Sequence, residues 1–286
     1  MKIQSYVLMC LISLICHGVF AEKPEVKIRT TYSPNLLENP NFQNRNGKKF
    51  PDGWVFSNMA NGKGIQGRVE KNSQSGCNML RIDTPGDLPG YWSQAKPIPV
   101  KEGVTYYARI DIKSENTRTL LWLQTEQWHD GKNPLNPPLS QTRIFSYIDG
   151  SRSKESADEI GLFVDPQFVK GHNKDEWYTL SLEFTVPLSQ GVTDYDFRAG
   201  AYFGSAGWIL LQNPYLGEAK RRVRFEVSGY ALASMTVHDS TNKQLAEFKL
   251  KPDREKSSVS MELPSCKESY KWVITTINGK TYNGVF

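Results

Sequence analysis

Tyr106-Tyr107-Ala108-Arg109-Ile110-Asp111-Ile112-Lys113 alternates apolar and polar residues without a break, and Leu180-Ser181-Leu182-Glu183-Phe184-Thr185-Val186 does so again before stopping at Pro187. A period of two puts successive side chains on opposite faces of a strand, so one face of each segment is buried and the other is wet. Further short runs rich in Val, Ile, Tyr, Phe, Trp and Thr are separated by Gly, Pro, Asn and Asp clusters, and no long amphipathic helix is evident. Many half-buried strands without helices must bury their apolar faces against one another. The expected fold class is therefore all-β, with packed antiparallel sheets.

The amino end predicts export. Lys2 precedes an apolar run from Tyr6 to Cys16, and Val19 and Ala21 are small residues in the positions a signal peptidase reads. A run of about ten apolar residues is short of the roughly twenty needed to span a bilayer, and no second run occurs. Residues 1–21 are expected to be a signal peptide, with the mature chain secreted, periplasmic or in the cell envelope and without a transmembrane segment. Of four cysteines, only Cys77, read in an apolar strand of the first domain, and Cys266, near the far end of the second, follow the cleavage point; a disulfide between them would require close docking of two domains, so two unpaired thiols are expected.

Composition excludes some functions. The net charge is +5 and both signs are interspersed; the one dense basic cluster, Lys220-Arg221-Arg222 with Arg224, reads as a solvated linker. Nucleic-acid binding calls for a basic stripe interleaved with exposed aromatics, which is missing. An acidic polysaccharide stays open as a ligand, because a mildly positive surface attracts anions. After the leader, histidine occurs only at 129, 172 and 238, without metal-ligand spacing, and there is no Gly-X-Ser-X-Gly elbow. Asp175-Glu176 and Asp194/Asp196 are the nearest carboxylate pairs, and both sit in turn-like contexts. No catalytic residue, cofactor or metal ligand is assigned.

Along the chain, 127–174 interrupts the strand rhythm with Asn133-Pro134, Asn136-Pro137-Pro138 and a charged stretch at 151–159, and is expected to be loop with one short strand near 142–148. After Gly217 six or seven short strands follow, the last two joined by the hairpin signal Asn278-Gly279. The expected domains are 22–219 and 220–286, the second a smaller, immunoglobulin-like β-sandwich.

Trp122, Gln124, Glu126 and Trp128 fall on one side of a strand whose other side carries Leu121 and Leu123. Two indoles, an amide and a carboxylate are wrong for a core but suit a sugar: pyranose C–H faces stack on indole while amide and carboxylate hydrogen-bond hydroxyls. The alternative is that the tryptophans cover a sheet edge or pack beneath the long loop. Tyr107 and Arg109 on one strand, and Arg198 and Tyr202 on another, have the same polar-aromatic character. Arg109 and Arg198 would favour a carboxylated or sulfated sugar, though ion pairing accounts for them equally. Trp92 is a candidate platform at a cleft edge.

An ordered set of pieces carries a family resemblance. Asn35 to Phe42 is followed by Pro51-Asp52-Gly53-Trp54. Ser75-Gly76 precedes Met79 to Ile82, then come Gln94, Val100, Gly103, Thr105 and Tyr106. Trp177, Phe184, Val186 and Pro187 lead to a closing strand at 208–216. Over about residues 33–219 the chain resembles carbohydrate-binding modules of families four and nine. The resemblance implies a galactose-binding-like jelly roll that holds a polysaccharide or oligosaccharide on its concave sheet, with Trp54, Trp177 and Trp208 at structural positions and so expected in the core. It also implies a structural calcium, but Gln43 and Gln212-Asn213 stand where the family carries carboxylates, which makes that site doubtful; backbone carbonyls and Glu38 are the groups that could rescue it. The function expected is secreted, non-catalytic glycan binding. The alternatives are a cell-envelope adaptor that has lost its sugar, with the second domain docking a surface or protein, and an accessory part of glycoside hydrolase machinery.

Overall fold

The structure, a computed structural model, describes residues 23–44, 47–58, 64–86, 90–115, 117, 119–124, 143–149, 152–157, 175–186, 188, 192–201, 206–253, 255–266 and 268–286. For 143–149 and 152–157 only the backbone is described. Every named element is a strand: β1 Glu25–Tyr32, β2 Trp54–Asn58, β3 Gln66–Lys71, β4 Asn78–Thr84, β5 Gly90–Gln94, β6 Ile98–Pro99, β7 Thr105–Glu115, β8 Thr119–Gln124, β9 Arg143–Asp149 and β10 Arg152–Ala157. There follow β11 Tyr178–Thr185, β12 Asp194–Ala201, β13 Gly207–Glu218, β14 Arg221–Ser228, β15 Leu232–His238, β16 Gln244–Lys249, β17 Ser257–Leu263, β18 Lys271–Thr276 and β19 Thr281–Val285. The chain is all-β, built of antiparallel sheets.

Residues 32–219 form one unit of two sheets. One has the order β11-β7-β13-β4-β3; the other runs β10-β9-β8-β12-β5-β2, with β6 paired to β12. Alternation explains the core between them. Ala108, Ile110 and Ile112 on β7, Leu180 and Leu182 on β11, and Ile209 and Leu211 on β13 share one cluster with Trp54, Trp92, Leu121, Leu123 and Phe197 of the facing sheet. The stretch read as a loop with one short strand supplies two paired strands: β9 and β10 run in register from Arg152↔Asp149 to Ala157↔Ile144.

Two tryptophans expected in the core are not in it. Trp54 is buried, and its Nε1 donates to the Asn39 carbonyl at 3.1 Å. Trp177 and Trp208 are half-buried. Trp208 sits under the Arg81 guanidinium, 5.1 Å from its ring centroid, and donates to Glu115 Oε2 at 2.7 Å. Conversely Trp92, expected at a cleft edge, is fully buried against Phe50 and Phe56, with Nε1 on the Arg81 carbonyl. Register decides this, since β5 turns Tyr91 outward and therefore Trp92 inward.

The second unit contains the described residues of 220–286 together with residues 23–31. Its sheets are β1-β14-β17 and β16-β15-β18-β19, packed around Val223, Phe225, Val227, Met235, Val237 and Ile274. Residues 25–31, assigned to the first domain from sequence, instead hydrogen-bond to β14, because β14 would otherwise present an unpaired edge. The basic cluster is not a linker either: Arg221, Arg222 and Arg224 lie in β14, Arg222 and Arg224 exposed. Arg221 is buried in β14, its Nη2 donating to the Glu268 carbonyl at 2.7 Å and its guanidinium 5.1 Å from the Tyr270 ring. At Asn278-Gly279 the chain turns with Gly279 alone at positive φ (79°), which only glycine adopts without strain, and β18 pairs with β19. Cys77 lies exposed in the β3–β4 turn rather than in an apolar strand, its carbonyl accepting from Asn72 N. Neither Cys77 nor Cys266 is in a disulfide.

Candidate functional site

β8, β12 and β5 lie side by side, and their register makes a patch on the outer face of the seven-stranded sheet. Trp122 is opposite Arg198, Gln124 opposite Asp196, and Arg198 in turn opposite Ser93. Tyr91 shares this face, its neighbours Trp92 and Phe197 pointing into the core. The Trp122 and Tyr91 rings meet in a T-shaped pair at a centroid distance of 5.1 Å and an interplanar angle of 67°.

Arg198 ties the patch together. Its Nη2 donates to Asp196 Oδ2 at 2.5 Å, Nη1 donates to Gln124 Oε1 at 3.4 Å and to the Tyr91 hydroxyl at 3.5 Å, and its Cζ lies 5.2 Å from the Tyr91 ring centroid. Its Nε is buried with no hydrogen-bond partner among the described residues. Asp196 neutralises the guanidinium, so the patch offers fixed donors and acceptors with little net charge. Trp122 is only 8% exposed and Gln124 4%. Leu120, two residues back on the same face, is buried as well. The indole is therefore a recessed wall and not an open platform.

The other expected site residues divide into two groups. Glu126, Trp128 and Tyr202 lie outside the described residues. Tyr107 and Arg109 are on β7, in the five-stranded sheet, on its face away from the core. They cannot share a cleft with Trp122 and Arg198, because the hydrophobic core separates the two faces. They form a cluster of their own with Tyr32 and Tyr215: the Arg109 Cζ is 5.2 Å and 5.9 Å from those two rings, and Tyr107 stacks on Tyr32 at 6.3 Å. The Tyr215 hydroxyl donates to the Ser33 carbonyl at 2.9 Å. This is a cation held between aromatic rings, a packing arrangement. Sequence reasoning missed Tyr91 as the partner of Trp122 and Asp196 as the partner of Arg198; alternation marks Tyr91 only once Trp92 is known to face inward.

A second feature gathers the residues that resemblance linked to calcium. Gln43 lines a cleft of about 510 Å³ together with Gln212 and Asn213. A bulge in β13 between Gln212 and Tyr215 puts Asn213 at φ 51°, and its Nδ2 donates to Asp111 Oδ2 at 2.8 Å. On the other wall Phe42 (φ 54°) is pinned by Asn78 Nδ2 on its carbonyl, and Gln43 N donates to Asn39 Oδ1. No carboxylate lines the cleft, whereas Lys71 does. Glu38 is not among the lining residues and its side chain packs on Gly53. A hard divalent cation prefers carboxylate oxygens, and an ammonium beside it repels it. The residues present do not fit calcium. Among the described residues, no group of three or more His, Cys, Asp or Glu could hold a metal.

No protein-family model and no curated protein matches the chain. It is similar to several solved structures. One is a family 61 carbohydrate-binding module in complex with β-1,4-galactotriose, at 12% identity and TM-score 0.38, covering 65% of this chain and 99% of that one. Another is a family 16 carbohydrate-binding module, at 13% identity and TM-score 0.36, covering 64% and 100%. A third is a structure of CBM4, at 12% identity and TM-score 0.36, covering 64% and 99%. At such identities and scores, function has to be argued from the chain's own residues.

Proposed function

We propose that the larger unit binds a saccharide chain, without catalysis, on the outer face of its seven-stranded sheet, in a protein exported after removal of its first 21 residues. The smaller sandwich would act as a spacer or docking unit. The observation that carries this is the Trp122–Tyr91–Arg198–Asp196–Gln124 patch. An aromatic wall beside an oriented donor–acceptor set matches the two faces of a pyranose, apolar C–H on one side and hydroxyls around the rim. Asp196 and Gln124 Oε1 accept from hydroxyls, and the Tyr91 hydroxyl, which accepts from Arg198 Nη1, keeps its proton to donate. Titration calorimetry of the purified protein against β-glucans, xylan, mannan and anionic algal polysaccharides tests it. Saturable binding that weakens in Trp122→Ala and in Arg198→Met is expected; no binding to any of these polymers, or binding indifferent to both changes, overturns it.

A second reading is favoured by one observation, the burial of Trp122, Gln124 and Asp196. On that reading the patch is a packing surface and the protein an adaptor of the cell envelope. It predicts that Trp122→Ala lowers stability while the protein binds no saccharide.

A further inference from the structure

We propose that the cleft between the β3–β4 turn and the β13 bulge is a separate binding site for an acidic saccharide unit, its carboxylate or sulfate ester held by Lys71 and its hydroxyls by the surrounding amides. The inference is independent of the outer-face patch, which belongs to the other sheet. Five amide residues, Asn41, Gln43, Asn78, Gln212 and Asn213, line one cleft of about 510 Å³ together with Lys71. That is within the range of small-ligand sites, roughly 300–1,000 Å³. An amide both donates and accepts, so a ring of amides is matched to vicinal hydroxyls, each of which does the same.

Charge selects among hydroxylated ligands. Lys71 has no carboxylate partner among the described residues, and no carboxylate lines the cleft. Asp111, the acid that Asn213 touches, accepts from Asn213 Nδ2 at 2.8 Å and from the Thr179 hydroxyl at 2.7 Å. The cleft therefore carries one uncompensated positive charge, which an oxyanion neutralises. The walls are also preset. Asn78 and Asn213 are each tethered through Nδ2, and Phe42, Asn213 and Gly76 (φ 69°) all hold left-handed backbone conformations around the rim. A bulged strand and left-handed non-glycine residues re-aim side chains at a cost that a merely structural surface has no reason to carry.

Cys77 lines the same cleft and is exposed, whereas Cys266 is buried, so alkylation of Cys77 by neutral iodoacetamide reports on occupancy. In low salt, tetragalacturonate or a sulfated galactotetraose should slow alkylation at least fivefold at saturation, and the comparison of those two arms identifies the acid group. Cellotetraose should not slow it. Lys71→Gln should abolish protection and Lys71→Arg should keep it; Lys71 is exposed at the end of β3, so both variants fold. Protection must survive in Trp122→Ala, which separates this site from the outer face. Equal protection by cellotetraose, protection that persists in Lys71→Gln, or absence of protection by both acidic ligands overturns the proposal. So does equal protection by inorganic sulfate at the same concentration, which would mark an anion site without saccharide recognition.

Discussion

Asp196 and Arg198 stand two residues apart on the same face of β12, joined at 2.5 Å, with the Asp196 side chain 6% and the Arg198 side chain 14% exposed. Removing one member of such a pair leaves an unpaired charge in low dielectric, which costs about 3–5 kcal/mol. Asp196→Ala should therefore destabilise the larger unit by that amount in urea melts. Replacing both, with Asp196→Leu and Arg198→Met, should restore most of it, since an apolar pair of similar volume is often neutral. The double variant should still have lost saccharide binding. Stability and affinity then part company, which a purely structural pair would not allow.

Trp122 offers a sharper test of the indole wall. If a sugar ring stacks there, Trp122→Ala should cost about 1–3 kcal/mol of binding free energy, by analogy with bases stacked on aromatic side chains. Trp122→Phe keeps a ring against Tyr91 and should lose less. Calorimetry on both variants at matched fold, checked by circular dichroism, separates lost stacking from lost structure.

Much of the fold was legible because alternation is a local signal. Ala108, Ile110 and Ile112 declare a buried face within eight residues, and Leu121 and Leu123 mark the inward side of β8, with Trp122 and Gln124 on its other face. What stayed hidden depends on pairing between distant segments. Nothing in residues 25–31 reveals that they join β14 at position 221 onward. Tyr107-Arg109 and Trp122-Arg198 look alike in sequence, yet their strands belong to different sheets. Trp92 and Tyr91 are adjacent aromatics, and only the register with β2 and β12 says which one is swallowed by the core. The charged run at 152–157 hides a strand because its sequence shows no apolar alternation to mark the backbone pairing with β9.

Metal dependence follows from the amide cleft. EDTA should leave the thermal midpoint of the larger unit unchanged, because a site of millimolar affinity in millimolar calcium would add only about 0.4 kcal/mol. Gln43→Glu with Asn213→Asp should make that midpoint rise with added calcium. The new carboxylate at 213 would face Asp111, to which Asn213 now donates, and a divalent ion relieves that repulsion. Differential scanning fluorimetry with and without calcium decides it; a fall of ten degrees on adding EDTA to the unmodified protein would require a tight native site and refute the argument.

Tyr195 gives the last test, on alkaline stability. The side chain is fully buried on β12 with its ring edge-on to Phe184 at 5.4 Å, and its hydroxyl has no partner among the described residues. Burial disfavours the phenolate and pushes the group up from 10.0 to about 12. The folded state thus holds this proton to higher pH than the unfolded chain does. Its contribution is fully present below pH 10 and is lost as pH rises through the window from 10 to 12. For a single group with these limits the loss at pH 11 is about 1 kcal/mol. Tyr195→Phe removes the titration and also the unpartnered hydroxyl, whose burial costs about 1–3 kcal/mol. The variant should be at least as stable as the parent at pH 7, and its advantage should widen between pH 10 and 11 in chemical denaturation. A parallel decline of both proteins across that window would show that the Tyr195 proton is not what the folded state protects.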